Sequence, residues 1–531
     1  MGLDLDLLVQ LATVAPPAQR DLVVVSDLHL GRGFDPATKR YRRLEAFFYD
    51  DDFRSFCRWA NADASGRGVP LALVLNGDVL DLLRIEHEAV PDGSFLERRF
   101  GPHLTPPVAA RTVADILAGH PTFVEALADV LAAGNEVVWV CGNHDLELQW
   151  AAPQDEVRSA LGSALAARGA PESALERLRF EAWFLNEPGR IWIEHGCQYD
   201  PESAFRFPLR ALLADSPAVA DVAERDMPLG NFFQRYLYNA FGQLTFIVPS
   251  SRANYRYFRF LLANQPRVLL RVARSQGRFL LQLLRRLARP PAASSLKAAE
   301  QAHAAQLEEL SRRSGLGERL FAIDALKNVG MDAPRALMGM LRQGARAIAK
   351  AIAAAVLALA LFIGVSHAID EISVGFGWKA LLSLMLYLTF AALGASALVA
   401  AVVRLPPDRP PRRLREAAAR IAALAGARVV TFGHTHEEVV NPIQCPAGRG
   451  WYFNTGTWLA VFTHDVLLPR ERVQYTFLHV RGDETELLQW SPGRGRPIPV
   501  VLLEEDEVST DGAPATALEL PEPASEPKRP R

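Results

Sequence analysis

Residues 428–438 read RVVTFGHTHEE, an apolar run that breaks at Gly433 and delivers His434 and His436 on either side of Thr435. Residues i and i+2 of an extended segment point the same way, so both imidazoles face one point. If that point is a metal site, its other ligands must come from elsewhere in the chain.

Four earlier stretches repeat the arrangement. DLVVVSDLHLG is a β-branched run ending in Asp27 and His29, and LALVLNGDVLDL ends in Asn76, Gly77 and Asp78, with Asp81 three residues on. NEVVWVCGNHDLEL presents Asn143, His144 and Asp145, and GRIWIEHGCQYD presents His195 before a glycine. Each reads as a buried strand handing over to a loop. The segments between the first three are long enough for crossover helices, so the pattern is β-α-β-α-β with polar groups gathered at strand C-termini, the edge where α/β sheets bind ligands.

Carboxylate, imidazole and amide oxygen form a mixed nitrogen and oxygen set suited to Mn, Fe, Zn or Ni rather than to Ca or a thiolate-bound structural zinc. Seven such groups exceed the needs of one tetrahedral ion and suit two ions sharing a bridging carboxylate.

The blocks resemble those of the metallophosphoesterase (calcineurin-like phosphoesterase) superfamily. Its D-x-H, G-D-x-x-D, G-N-H-[DE], later H and G-H-x-H motifs correspond to Asp27 to His29, Gly77 to Asp81, Gly142 to Asp145, His195 and Gly433 to His436, in the family's order. The resemblance covers roughly residues 20–200 and 425–490. It implies an α/β fold, a four-layer α-β-β-α sandwich, and an enzyme hydrolysing a phosphodiester or pyrophosphate bond by attack of a metal-activated hydroxide. It also implies two divalent ions, Mn first, with Fe, Zn or Ni as alternatives. Asp27, His29 and His436 would hold one ion and Asn143, His195 and His434 the other, with Asp78 bridging. Beside them His144 would protonate the leaving oxygen, and Asp145 would orient its ring. Asp81 would hold a ligand in its rotamer, or cap a helix.

The bounds agree with a large intracellular enzyme. A chain of 531 residues, 49% of them hydrophobic, buries more than one ordinary core. A net charge of −2 gives no polyanion signature, which argues against nucleic acid as a partner. The four cysteines show no CxxC pairing and suit a reducing compartment; Cys141 and Cys197 read as small buried hydrophobes. The N-terminus carries acids where an export signal needs positive charge.

From His195 to His434 the chain runs far longer than a crossover needs, so a module is inserted between two halves of one site. Its first part is basic: Arg267, Arg271, Arg274 and Arg278, followed by Arg285 and Arg289, recur along one helical face between Pro266 and Pro290. That stripe reads as a membrane-surface element, as arginines offered to a phosphorylated substrate, or as a plain solvated face. Next, Ala351–Ile369 and Ala380–Val403 contain no Asp, Glu, Lys or Arg and reach spanning length. Basic flanks and an acidic connection predict a transmembrane hairpin with both flanks in the cytoplasm, and an even number of crossings lets His195 meet His434. The competing reading is a buried helical hairpin at a dimer interface.

The expected organisation is an N-terminal extension (1–20), a first catalytic part (21–200), a basic helical cap (201–345), the transmembrane hairpin (346–405), a second catalytic part (406–490) and a largely disordered tail (491–531). Such a protein sits in the inner membrane with its catalytic domain in the cytoplasm and acts on a phosphorylated, lipid-linked or nucleotide-lipid substrate; homo-oligomers stay open. The layout is similar to that of UDP-2,3-diacylglucosamine pyrophosphatases. It departs from them in carrying His144 where they typically carry Arg, and in the hairpin. The alternatives are a membrane-tethered phosphatase or phosphodiesterase on a soluble nucleotide or phosphoprotein, for which residues 204–424 would be dispensable, and a non-enzymatic membrane scaffold.

Overall fold

A computed structural model describes residues 20–88, 90–210, 227–239, 246–247, 293–329, 356–403, 410–446, 448–463, 466–467 and 473–500, together with the single positions 267, 274, 277, 278, 281, 346, 349 and 353. Side chains are not described throughout α7 (Phe376–Val403), only for residues 376–392.

Two sheets form the framework. The first holds β1 (Asp21–Val25), β2 (Leu71–Asn76), β3 (Glu136–Val140) and β4 (Leu178–Glu181), all parallel. On its other side β10 (Thr476–Arg481), β11 (Glu484–Ser491) and β12 (Arg496–Pro499) extend it antiparallel, β10 beside β1. The region expected to begin a disordered tail thus contributes an edge strand, while residues 501–531 lie outside the description. In the second sheet β6 (Ile191–Glu194) and β9 (Gly448–Thr455) flank β7 (Val429–Phe432) in parallel. Antiparallel edges follow in β5 (Phe184–Glu187) and β8 (Glu438–Cys445).

The period-2 alternation of side chains sorts these strands into layers. Leu22, Val24, Ala72, Val74, Val138 and Val140 of the first sheet meet Leu185, Ile191, Ile193, Val429 and Phe453 of the second in one apolar core. Their neighbours Val23, Val25, Leu73, Leu75, Val137 and Trp139 face the opposite way, into helices. Those helices are α1 (Asp50–Arg67), α2 (Pro106–Gly119), α3 (Pro121–Ala132) and α4 (Ala151–Ala167). Local chemistry starts and stops them. Asp50, Asp51 and Asp52 complement the dipole at the start of α1, left-handed Gly68 closes its end on the carbonyls of Ala64 and Ser65, and prolines open α2 and α3.

On the outer face of the second sheet, Trp192, Val430, Phe432 and Tyr452 pack against α5 (Ala293–Arg313), α6 (Glu318–Asp324) and α8 (Pro410–Ala425). Leu414, Ala417, Ala418, Ile421, Ala422 and Ala425 of α8 recur at helical spacing toward that sheet. Each fully buried Leu or Ile here stabilises by roughly 1.5–3 kcal/mol. Deleting residues 204–424 would therefore uncover one side of the fold, against the reading in which that stretch is dispensable.

The expected transmembrane hairpin is corrected. Among the described residues no helix is long and apolar enough to cross a membrane. What forms is a helical hairpin, with the Phe362 ring 5.2 Å from that of Tyr387 and 5.3 Å from that of Phe390. Of the basic stripe, Arg267, Arg274 and Arg278 are exposed helical positions, whereas Arg271, Arg285 and Arg289 lie outside the described residues.

One buried charge cluster ties the helices to the first motif. His120, between α2 and α3, donates from Nδ1 to Asp50 at 3.0 Å, and its Nε2 lies 3.4 Å from Glu45. Glu45 accepts the backbone N–H groups of Gly31, Gly33 and Phe47. Burial opposes the charge on His120, but the hydrogen bonds to Asp50 and Glu45 outweigh it and raise its pKa from 6.5 to about 9. The resulting stabilisation is fully present below about pH 6.5 and is lost as pH rises through about 9, on the order of 3 kcal/mol. Urea unfolding of wild type and His120→Gln should therefore differ most near pH 6 and converge toward pH 10. A gap that does not change with pH would remove the assigned cause.

Candidate metal centre

All five motif loops meet at one place because the two sheets align their strand C-termini. The Asn76 amide donates to the Glu194 carbonyl at 2.9 Å, and His195 Nδ1 donates to the Asn76 carbonyl at 3.0 Å, joining the ends of β2 and β6 across the sandwich. Gly433 N–H donates to the His195 carbonyl at 3.0 Å, and His29 N–H to the Asp78 carbonyl at 2.9 Å.

The backbone is bent hard to make this convergence. Among the described residues seven non-glycine positions have positive φ, and five of them are Asp27 (54°), His29 (51°), Asp78 (52°), His434 (70°) and His436 (59°). Left-handed conformations in such residues cost on the order of 1–3 kcal/mol each and persist where the surroundings over-determine them, which is characteristic of functional sites. Two glycines make the approach possible. A Cβ on Gly77, itself at φ 79°, would stand 2.5 Å from His195 Nδ1, and one on Gly142 would stand 2.2 Å from Asp78 Oδ1.

Two donor groups result. In the first, His29 Nε2 and His436 Nε2 face each other at 3.0 Å, with Asp27 Oδ1 3.2 Å from the latter and 3.9 Å from the former. Asp78, His195 and His434 gather in the second, with Asp78 Oδ2 3.2 Å from His195 Nε2. That same Oδ2 lies 3.9 Å from His29 Nε2, so one carboxylate oxygen stands between both groups. Asn143 lies beside them, buried, its Oδ1 without a hydrogen-bond partner. Six of the seven residues expected as ligands are thus brought into two donor groups, and Asn143 stands in the loop whose His144 N–H donates to Asp78.

Neighbours fix which atom each ring offers. His195 and His29 use Nδ1 elsewhere, the latter on Asp81 Oδ2 at 3.2 Å, which turns Nε2 inward. His434 Nε2 donates to Asp200 Oδ2 at 2.9 Å, leaving its Nδ1 for the centre. Such partners set tautomer and orientation in metal-ligating histidines.

Asp81 keeps the roles expected of it and also takes the one expected of Asp145. His144 Nδ1 donates to Asp81 Oδ1 at 2.8 Å, so Asp81 holds that ring as well as His29, and it also accepts Arg84 N–H at 2.9 Å in the manner of a cap. Asp145 instead accepts the backbone N–H groups of Asp78, Val79 and Gly142, clamping two motif loops together. Its expected role as orienter of His144 is corrected on that ground.

Electrostatics separate the imidazoles. Burial pulls His29 down to about 4, keeping a lone pair available. For His144 burial acts in the same sense, but Asp81 and Asp78 outweigh it and raise it to about 9. His195 reaches about 10, its burial outweighed by Asp78 and Asp27. Burial next to Asp78 lifts Asp145 to about 6.

Two residues escaped the sequence reading. Asp200 lies five positions after His195 in HGCQYD, where an acid following a ligand was a usable signal. Asn231, hydrogen-bonded to Asn143, lies in the insertion without any motif around it.

No protein-family model matches the chain, and no curated protein matches it.

Proposed function

We propose that this chain is a dinuclear-metal phosphoesterase of the metallophosphoesterase type, hydrolysing a phosphodiester or pyrophosphate bond. The observation that carries the reading is the position of Asp78 Oδ2, shared between two histidine-bearing donor groups at 3.2 and 3.9 Å. Three further features fit a pair of divalent ions. Two imidazole nitrogens converge within 3.0 Å, a buried amide oxygen of Asn143 lacks a partner, and the donors are nitrogen and carboxylate oxygen without thiolate.

Asp27, His29 and His436 would hold one ion, Asn143, His195 and His434 the other, with Asp78 between them. Such a pair supplies Lewis acidity to the phosphoryl group and to the attacking water. The chain's own residues do the rest. The His144 ring packs edge-on to His29 at 4.6 Å and is held by Asp81, with Nε2 4.0 Å from Asp78 Oδ2. A proton on that nitrogen is at hand for the leaving oxygen. Asp145 keeps the second and third motif loops in register while this occurs. Burial of all these groups excludes bulk water and strengthens each electrostatic contact.

Turnover of bis-p-nitrophenyl phosphate by the purified full chain should appear with Mn²⁺ and vanish with EDTA. Activity indifferent to chelation would sink the proposal.

A further inference from the structure

The insertion reaches the metal centre at one described segment, residues 227–239. A short helix, Leu229–Phe232, carries Asn231, which is 1% exposed. Its contacts with Asn143 are reciprocal. Asn143 Nδ2 donates to Asn231 Oδ1 at 3.2 Å, and Asn231 Nδ2 donates to the Asn143 carbonyl at 2.8 Å. An amide has two unlike ends, and engaging the nitrogen end decides where the oxygen end points. Asn143 Oδ1 is thereby left as the buried atom without a partner. Rotated half a turn, the same side chain would offer two N–H donors to a cation, which repels it.

The segment is fastened on both sides of Asn231. Gly230 N–H donates to the Glu202 carbonyl at 2.8 Å, Arg235 Nη2 to the Pro102 carbonyl at 2.9 Å, and Asn239 Nδ2 to the Leu83 carbonyl at 2.8 Å. Phe232 and Tyr236 pack with Leu96 in a small apolar cluster of their own. Leu83, Leu96 and Pro102 all belong to the loop region that follows the Asp78 motif, so the insertion is seated on the rim of the site.

We propose that Asn231 is a positioning residue for Asn143, so that the second half of the metal centre is complete only with the inserted segment docked. The inference rests on the reading of Asn143 as a ligand given above. Through Asn231, whatever moves the segment changes occupancy of the ion held by Asn143, His195 and His434 and leaves the Asp27, His29 and His436 half intact.

Mn²⁺ titrated into the full chain, followed by electron paramagnetic resonance, tests this. Wild type should take two ions and give a spin-coupled signal. Asn231→Leu, close in volume but unable to hydrogen-bond, should keep one tight ion and weaken the second by about 10- to 100-fold, the usual effect of losing a partner of a metal ligand. Adding Asn143→Asp should restore the second ion, because a carboxylate presents an oxygen whichever way it is turned, and a merely structural role for Asn231 predicts no such rescue. Asn231→Ser, too short to reach Asn143, carries the same expectation if the leucine variant does not fold. Two ions at wild-type affinity in a folded Asn231 variant would overturn the proposal, as would a double variant that still lacks the second ion. A wild-type chain that binds no Mn²⁺ would instead remove the reading on which the proposal stands.

Discussion

Asp78→Asn is expected to lower Mn²⁺-dependent turnover by about 10³-fold or more and to reduce bound Mn²⁺ below two ions per chain. The substitution keeps shape and one oxygen while deleting the charge. Asp78 Oδ1 accepts His144 N–H at 2.8 Å, an interaction that an amide oxygen can retain, so the loop should stay folded. What is lost is the anionic oxygen standing between His29 and His195. Burial alone would favour the neutral acid, yet His195, His144 and His29 hold Asp78 well below the usual carboxylate range. On the proposed reading, a neutral side chain there would remove the negative charge that offsets repulsion between two divalent ions, in a setting where such repulsion is poorly screened. Near-normal activity in Asp78→Asn would mean that the two groups do not act as a pair.

The second large effect is expected at His144, and its size should depend on the leaving group. His144→Gln should cost about 10²- to 10⁴-fold on a substrate whose leaving oxygen needs a proton, the usual contribution of a positioned acid. On a p-nitrophenyl ester, whose phenolate departs unaided, the same variant should lose far less. Holding the ring requires Asp81, at 2.8 Å from Nδ1, so the comparison isolates proton donation only if Asp81 is left in place. An equal loss on both esters would make His144 a phosphate-binding group rather than an acid.

The membrane hairpin was the place where the sequence misled. Ala351–Ile369 and Ala380–Val403 are long uncharged runs, and length with hydropathy is the whole of that signal. Among the described residues no helix meets both conditions. The described helix over 356–371 ends on Asp370 and Glu371, and the one that follows carries Lys379 in its first turn. Asp145 was misread for a related reason. Its place next to His144 in the chain suggested a contact, but the turn directs its carboxylate to four backbone amides, and the ring finds Asp81 from another loop.

By itself the sequence picked out the strand-end residues that the fold gathers into the candidate centre. A strand that ends in Asp, His or Asn beside a glycine can be recognised locally, because apolar alternation and the small residue are written in consecutive letters. It also led to the expectation that His195 and His434 meet despite the long insertion, and their rings lie 5.4 Å apart. Only the tertiary structure decided which nitrogen each histidine turns inward, that Asp200 and Asp81 hold those rings, and that the insertion returns Asn231 to the site. Those facts depend on contacts between elements far apart in the chain. Orientation of a side chain is set by whatever packs against it, and nothing in its own neighbourhood of the sequence records that partner.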